Sequence, residues 1–255
     1  MSITQLLFAG YANPLVAVDS AKFDGTNDYM LRGSDLSGNA DSKSGIISVW
    51  VRLDGGDGTY MRIFCGSNSL VTALTDFILE REIGNTFAVT ARNAAVTTIL
   101  LIRTVATYVA SSTWLHVLAS WDLAAGTNNL YINDVSDKSI VTNTNDTIDY
   151  TEADYVVGAS ELGTLKLNGC LAELYFAPGQ YLDFSNVYNR RKFISASGKP
   201  VSLGANGALP TGVAPIVYEH LNVGELASDF AVNLGTGGGF TVNGSLTTGS
   251  TSPSS

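Results

Sequence analysis

Three kinds of side chain in this sequence could do chemistry. His116 lies between Trp114 and Trp121 in STWLHVLASWDLAAGTNNLYINDV, Ser112 to Val135. An imidazole there could serve as a general base, but no nucleophile stands beside it in the sequence. A mid-strand histidine next to tryptophan reads instead as a hydrogen-bonded structural residue. Carboxylates are the second kind, since glycosidic hydrolysis needs one as acid and another as base or nucleophile across a groove. Glu80-Arg81-Glu82 sets two like charges on one strand face with Arg81 opposite, the pattern of a solvated face. Aromatic rings are the third. Tyr60, Tyr108, Trp114, Tyr150 and Tyr155 fall near loops or strand starts, where rings flanked by Asn and Asp suit stacking on a sugar. The sequence holds no Walker loop, zinc spacing or Gly-x-Ser-x-Gly motif.

The elements that must position these residues alternate with period two. In GIISVWVRLD, Ile47, Val49, Val51 and Leu53 share one face, and Ser48, Trp50 and Arg52 share the other. Likewise Leu115, Val117, Ala119 and Trp121 oppose Trp114, His116, Leu118 and Ser120, with LYINDV as the return strand. Ile83-Gly84-Asn85 reads as a hairpin turn, and VTTILLIRTV, YVVGAS and LNGCLAELYFAPG as further strands. The breaks DGTND, DGGDG, AAGTNN and TNTND are rich in Gly, Asn and Asp. Such spacing without intervening helices predicts an all-β, antiparallel two-sheet sandwich.

One segment departs from period two. LDFSNVYNRRKFIS places Phe184, Val187, Arg191 and Ile194 near helical spacing. It predicts a helix of about three turns, capped by Asp183 or Ser185 and stopped by Gly198 and Pro200. Arg190, Arg191 and Lys192 at its C-terminal end suit the helix dipole; the alternative is a salt-bridging surface for an acidic neighbour. The expected organisation is an N-terminal arm over 1–14, the sandwich over 15–180, a helix-containing extension packed on it over 181–230, and a Gly/Ser/Thr-rich arm over 231–255 in which GGGFTVNGS can still form one last strand, with Phe240 and Val242 alternating with polar residues. TTGSTSPSS has little to bury and is expected to be mobile when unattached.

Composition narrows the function. The 255 residues are 45% hydrophobic and 15% charged, with a net charge of −9. That charged fraction is well below the roughly 25% of an average soluble domain. With so few clustered cations, the electrostatic footprint of a nucleic-acid binder is missing. No apolar run approaches the roughly 18 residues of a membrane helix, and the MSITQLLFAGYANP start lacks a basic n-region, so no signal peptide is expected. Cys65 and Cys170 sit in apolar runs and read as buried thiols.

The central hairpin, W-x-H-V-x-x-S/T-W/Y-D followed by a Gly/Asn loop and L-Y-I-N-D, resembles that of laminin G-like, concanavalin A-like jelly-roll domains. AKFDGTNDYM resembles the family's opening strand pair, and GIISVWVRL its next core strand. YVVGAS with LNGCLAELYF resembles its closing pattern, over roughly residues 18–180. YNRRKFISASGKPVSLGANGALPTGVAPIVY and NLGTGGGFTVNGSLTTGSTSPSS resemble the C-terminal extension of laminin G-like proteins of tailed bacteriophages. The resemblance implies a non-enzymatic virion protein, made in the host bacterial cytoplasm, that decorates capsid or tail. Its partners would be capsid or tail proteins, and the threefold positions of such a lattice would suit a trimer. The alternative is a lectin-like adhesin for host cell-surface glycans. The E-x-D-x-x-E signature of glucanase relatives is absent, so no enzyme activity is expected. No cofactor is required by this reading. Relatives of this fold hold Ca²⁺ with loop oxygens, and two loops offer them. One carries Asp54 and Asp57; the other carries Asn145, Asp146 and Asp149. Neither matches a calcium motif residue by residue.

Overall fold

The computed structural model of the chain describes residues 13–68 and 75–255. Residues 1–12 of the expected N-terminal arm lie outside the described residues. The strands run, in chain order, β1 (Ala21–Asp24), β2 (Tyr29–Leu31), β3 (Ser44–Leu53), β4 (Met61–Ser67), β5 (Thr75–Arg81) and β6 (Phe87–Arg92). Next come β7 (Thr98–Arg103), β8 (Leu115–Asp122), β9 (Thr127–Ile132), β10 (Val135–Ser136) and β11 (Ser139–Asn143). After β12 (Asp154–Val157) and β13 (Asn168–Pro178) stands the helix α1 (Val187–Arg190), and then β14 (Val217–Glu219), β15 (Thr241–Asn243) and β16 (Thr247–Thr248).

Among the described residues these strands form two antiparallel sheets of eight. The first runs β10-β9-β8-β3-β13-β1-β16, with β14 also on β13; the second runs β11-β7-β6-β5-β4-β12-β2-β15. The expected all-β sandwich is what forms. Its core takes the faces that alternation assigned to it. Val49, Val51, Val117, Ala119 and Trp121 meet Phe64, Phe77, Tyr150, Tyr155 and Phe176 between the sheets. The aromatic rings there pack at tilted angles, with Phe77 and Phe176 centroids 4.7 Å apart. Gly169 marks the tightest strand approach, because a Cβ on it would sit 2.2 Å from the Arg52 carbonyl oxygen.

The first sheet is buried on its outer face as well. Leu118, Tyr175, Phe184, Phe193, Leu203 and Tyr218 form a second core, and Val18, Trp50, Ala172 and Ile194 a third. The chain beyond β13 supplies much of this cover. The expected three-turn helix is a single α-helical turn, and a 3-10 turn over Ala227–Ala231 follows later in the chain. Asn186, not Asp183 or Ser185, is the cap, accepting from the Tyr188 N–H at 3.0 Å. The reason is local: Asp183 takes the Ser185 N–H at 2.9 Å and its hydroxyl at 2.8 Å, a turn that competes with helix. Arg190 and Arg191 then both reach Asp134 in the β9–β10 turn, at 2.5 and 2.6 Å. That turn has Asn133 and Asp134 at φ 49° and 67°, the two left-handed positions of a tight hairpin.

Three further expectations are corrected. The 231–255 segment is not an arm: β15, the last strand expected in GGGFTVNGS, pairs with β2, and β16 pairs with β1, so the segment edges both sheets. Backbone ladders and hydroxyl contacts replace the apolar burial its composition lacks. For the same reason the sandwich is not confined to 15–180. Glu80-Arg81-Glu82 is not a solvated face either. Glu80 is buried against Arg62, Arg81 is fully buried against Asp57 at 2.7 Å, and Glu82 pairs with Arg103 at 2.7 Å.

Candidate binding groove

Where the cover of the outer face stops, a groove remains over the ends of β3 and β8. The alternation of β3 turns Trp50 and Arg52 outward, and Trp114 stands just before β8. Trp50 is buried as floor, while Trp114 is half-buried. One cavity, of about 390 Å³, is lined by Trp50, Trp114, Asn133, Lys199, Thr251 and Ser255 among others. A second, of about 600 Å³, lies against Lys22, Arg52, Asp54, Ala110 and Ser250. Ser112 and Thr251 line both, so the two are halves of one groove.

Arg52 organises it. Its Nε and Nη2 donate to the two Asp54 carboxylate oxygens at 2.8 and 3.0 Å. That bond raises the guanidinium pKa further, so it is a permanent cation. Its Nη1 donates to the Thr251 hydroxyl at 2.6 Å and to the Ser250 hydroxyl at 3.3 Å. The guanidinium carbon stands 5.8 Å from the Trp114 ring centroid. Trp114 Nε1 donates to the same Thr251 oxygen at 3.1 Å. Asn133 is held by the hairpin, its Oδ1 accepting the His116 N–H at 2.7 Å. The lining therefore carries an aromatic ring, hydroxyl and amide groups, three cations (Lys22, Arg52, Lys199) and one carboxylate, Asp54.

Of the five aromatic residues singled out from sequence, the groove takes Trp114. Tyr150 and Tyr155 are 0% exposed and belong to the core. Tyr155 donates to the Tyr150 carbonyl at 2.7 Å, and Tyr150 Oη accepts Trp121 Nε1 at 2.8 Å. Tyr108 packs on Phe87 and donates to Asp137 at 2.6 Å. Tyr60 is 42% exposed but does not line the groove. The five are scattered and do not line one concave surface.

The expected calcium loops are also otherwise engaged. Asp54 is held by Arg52 and Asp57 by Arg81. Asn145 accepts Lys43 Nζ at 2.9 Å, and Asp146 accepts Asn93 Nδ2 at 2.7 Å. Asp41, Asp146 and Asp149 do line one cavity of about 230 Å³. Yet among the described residues no three His, Cys, Asp or Glu side chains converge as a metal shell. Asp54, Asp57, Asn145 and Asp146 thus each have a side-chain partner within the chain.

Sequence reasoning missed Lys22, Arg52, Asn133, Lys199, Ser250 and Thr251. A signal existed for Arg52, which alternation places beside Trp50. None existed for the hydroxyls, because a Ser/Thr-rich run carries no hydrophobic period to dock it.

Comparison with known proteins supports the fold. A family model, the concanavalin A-like lectin/glucanases superfamily, matches residues 24–178. No curated protein matches the sequence. Among solved structures, a candidate carbohydrate-binding protein from Bacteroides ovatus aligns with a TM-score of 0.60 at 13% identity, covering 92% of this chain. This chain spans 60% of that protein's length. A heptameric SAP-like pentraxin from Limulus polyphemus aligns with a TM-score of 0.56 at 14% identity, covering 91% of this chain and 94% of its own. Nothing in these similarities indicates a phage origin or a virion role.

Proposed function

The chain belongs to the concanavalin A-like lectin/glucanase superfamily, and on that premise we propose that it binds carbohydrate in the Trp114 groove, without catalysis and without calcium. The observation that carries this reading is the half-buried Trp114 ring set among Asn133, Lys199 and Arg52. A sugar offers an apolar CH face to such a ring, and its hydroxyls take hydrogen bonds from the flanks. Glycosidic hydrolysis would need a second carboxylate facing Asp54 across the groove, and the lining supplies Asp54 alone, already bound to Arg52. The B. ovatus similarity agrees with this reading at the level of fold.

The test is a glycan array with full-length protein, with calcium and with chelator, repeated with Trp114→Ala. The expected outcome is binding that is insensitive to chelator. Trp114→Ala should lose at least about tenfold in affinity, or about 1.4 kcal/mol, with little change in melting temperature. Silence of the folded protein on the array that persists when residues 250–255 are removed, or a Trp114→Ala variant that binds as well as wild type, would overturn the assignment.

A further inference from the structure

The hydrogen-bond donors most directly aimed into the groove are already taken by the chain itself. Thr251 Oγ1 accepts from both Trp114 Nε1 and Arg52 Nη1, at 3.1 and 2.6 Å. Ser250 Oγ accepts a second contact from Arg52 Nη1. A hydroxyl oxygen with two lone pairs receiving an indole N–H and a guanidinium N–H occupies the place a sugar hydroxyl would take. We propose that residues 249–255 form a displaceable strap that occupies the carbohydrate groove in cis and competes with the ligand. The inference rests on the carbohydrate reading above and adds how that site is regulated.

The strap is anchored in a way that suits release. Its last ladder is short, Ala21 with Thr248 and Lys22 with Thr247. Beyond it the segment holds by separate contacts. The Gly249 N–H donates to the Ser20 carbonyl at 2.9 Å, and Ser20 Oγ donates to the Thr251 carbonyl at 3.0 Å. Ser254 Oγ accepts the Val18 N–H at 2.9 Å, and Lys199 Nζ donates to the Ser255 carbonyl. Pro253 is the one buried residue of the segment; Ser250 and Thr251 are exposed. Polar contacts of this kind exchange with water at small net cost, whereas a strand buried on both faces would not. The hydroxyls face the two donors, and the ring face of Trp114 remains the stacking surface. A ligand that brings its own hydroxyls to Arg52 and Trp114 replaces the Thr251 contacts to those two donors.

Closure of the strap lowers apparent affinity by the fraction of open molecules. Two variants test this: Thr251→Val, which keeps the shape and removes the acceptor, and a deletion of 250–255. Both are read on the same glycan array and by acrylamide quenching of tryptophan fluorescence. Quenching reads the groove, because Trp114 and the Trp50 floor line it while Trp121 is buried between the sheets. The expected result is stronger quenching, with about three- to tenfold tighter binding to the glycans the wild type prefers. Thr251→Val decides the matter should the deletion fail to fold. Binding that is unchanged or weaker in folded variants overturns the strap and leaves the groove assignment standing. An array silent for wild type and variants alike, even with stronger quenching, overturns the carbohydrate reading and the strap with it. Binding by the variants alone supports both.

Discussion

His116 stacks on Trp50 with ring centroids 4.6 Å apart, and its Nε2 meets Ser48 Oγ at 2.8 Å. The ring is 1% exposed and its Nδ1 has no partner among the described residues. It is a structural neutral imidazole, the role its mid-strand position predicts. Burial drives its pKa down to about 3, and the Asp134 charge recovers only part. Between pH 6.5 and that value the unfolded chain binds the proton and the native state does not, so stability falls on acidification. The limiting slope for one such group is about 1.4 kcal/mol per pH unit. His116→Phe should flatten the dependence between pH 6 and 4 in urea melts. An unchanged slope would assign the acid limb to other groups.

The two core-facing sets, Ile47 to Leu53 and Leu115 to Trp121, were legible because period two reports burial directly. The outer-face sets were legible as strands but not as buried, since what covers Leu118 and Trp50 is Phe184, Phe193 and Ile194 from distant chain. The same gap explains the site. Arg52 and Trp114 sit on one face, a local fact, but the Thr251 hydroxyl reaches them from 137 residues after Trp114. Long-range docking of a polar segment leaves no periodic trace. Tyr150 and Tyr155 failed for the opposite reason. Their loop neighbours, Asn145 and Asp146 before and Thr151 after, looked exposed, while the rings turn inward to share hydrogen bonds.

Those two tyrosines should matter for stability and not for binding. Tyr155 stacks on Phe64 with centroids 5.5 Å apart, so Tyr155→Ala opens a core cavity and should cost about 3–5 kcal/mol. Tyr150→Phe leaves the buried Trp121 N–H without its acceptor, at a cost of about 1–3 kcal/mol. Denaturant melts give both values, and the glycan array should show the specificity of the wild type for any variant that stays folded.

Glu152 is 2% exposed and neither of its oxygens has a partner among the described residues. Burial, then the charges of Asp76, Asp149, Asp35 and Asp41, push its carboxyl up to about 10. Native Glu152 is therefore protonated at neutral pH. Between pH 4.5 and 10 the unfolded chain has lost that proton and the native state keeps it, so this group makes stability fall as pH rises. Glu152→Gln removes the dependence at nearly constant shape. The variant should gain at least about 1 kcal/mol at pH 8, and less at pH 5. Equal stability of variant and wild type at both values would mean that Glu152 is charged and paired.

His220 behaves in the opposite sense. Its Nδ1 meets the buried Glu173, which also accepts the Tyr218 hydroxyl at 3.0 Å. Its Nε2 faces Asn222 Oδ1 at 3.1 Å, and the amide of Asn222 is fixed by Nδ2 donating to Glu225 at 2.8 Å. Both ring nitrogens thus face acceptors, which requires an imidazolium. Burial opposes the charge, but the bond and charge of Glu173, with Asn222 and Glu225 behind them, raise the pKa above its ordinary value. Glu173 is held for this purpose at a bulge of β13, with φ 52°. The clamp joins β13 and β14 to the 220–225 turn, whose Gly224 N–H donates to Asp19 at 2.8 Å. A raised histidine stabilises fully below pH 6.5, and the contribution fades as pH rises through the folded value. His220→Gln should therefore cost about 1–2 kcal/mol at pH 6 and clearly less at pH 9, in paired urea melts. A cost independent of pH would show that the ring acts by packing on Tyr218, and that Glu173 carries its charge without an imidazolium partner.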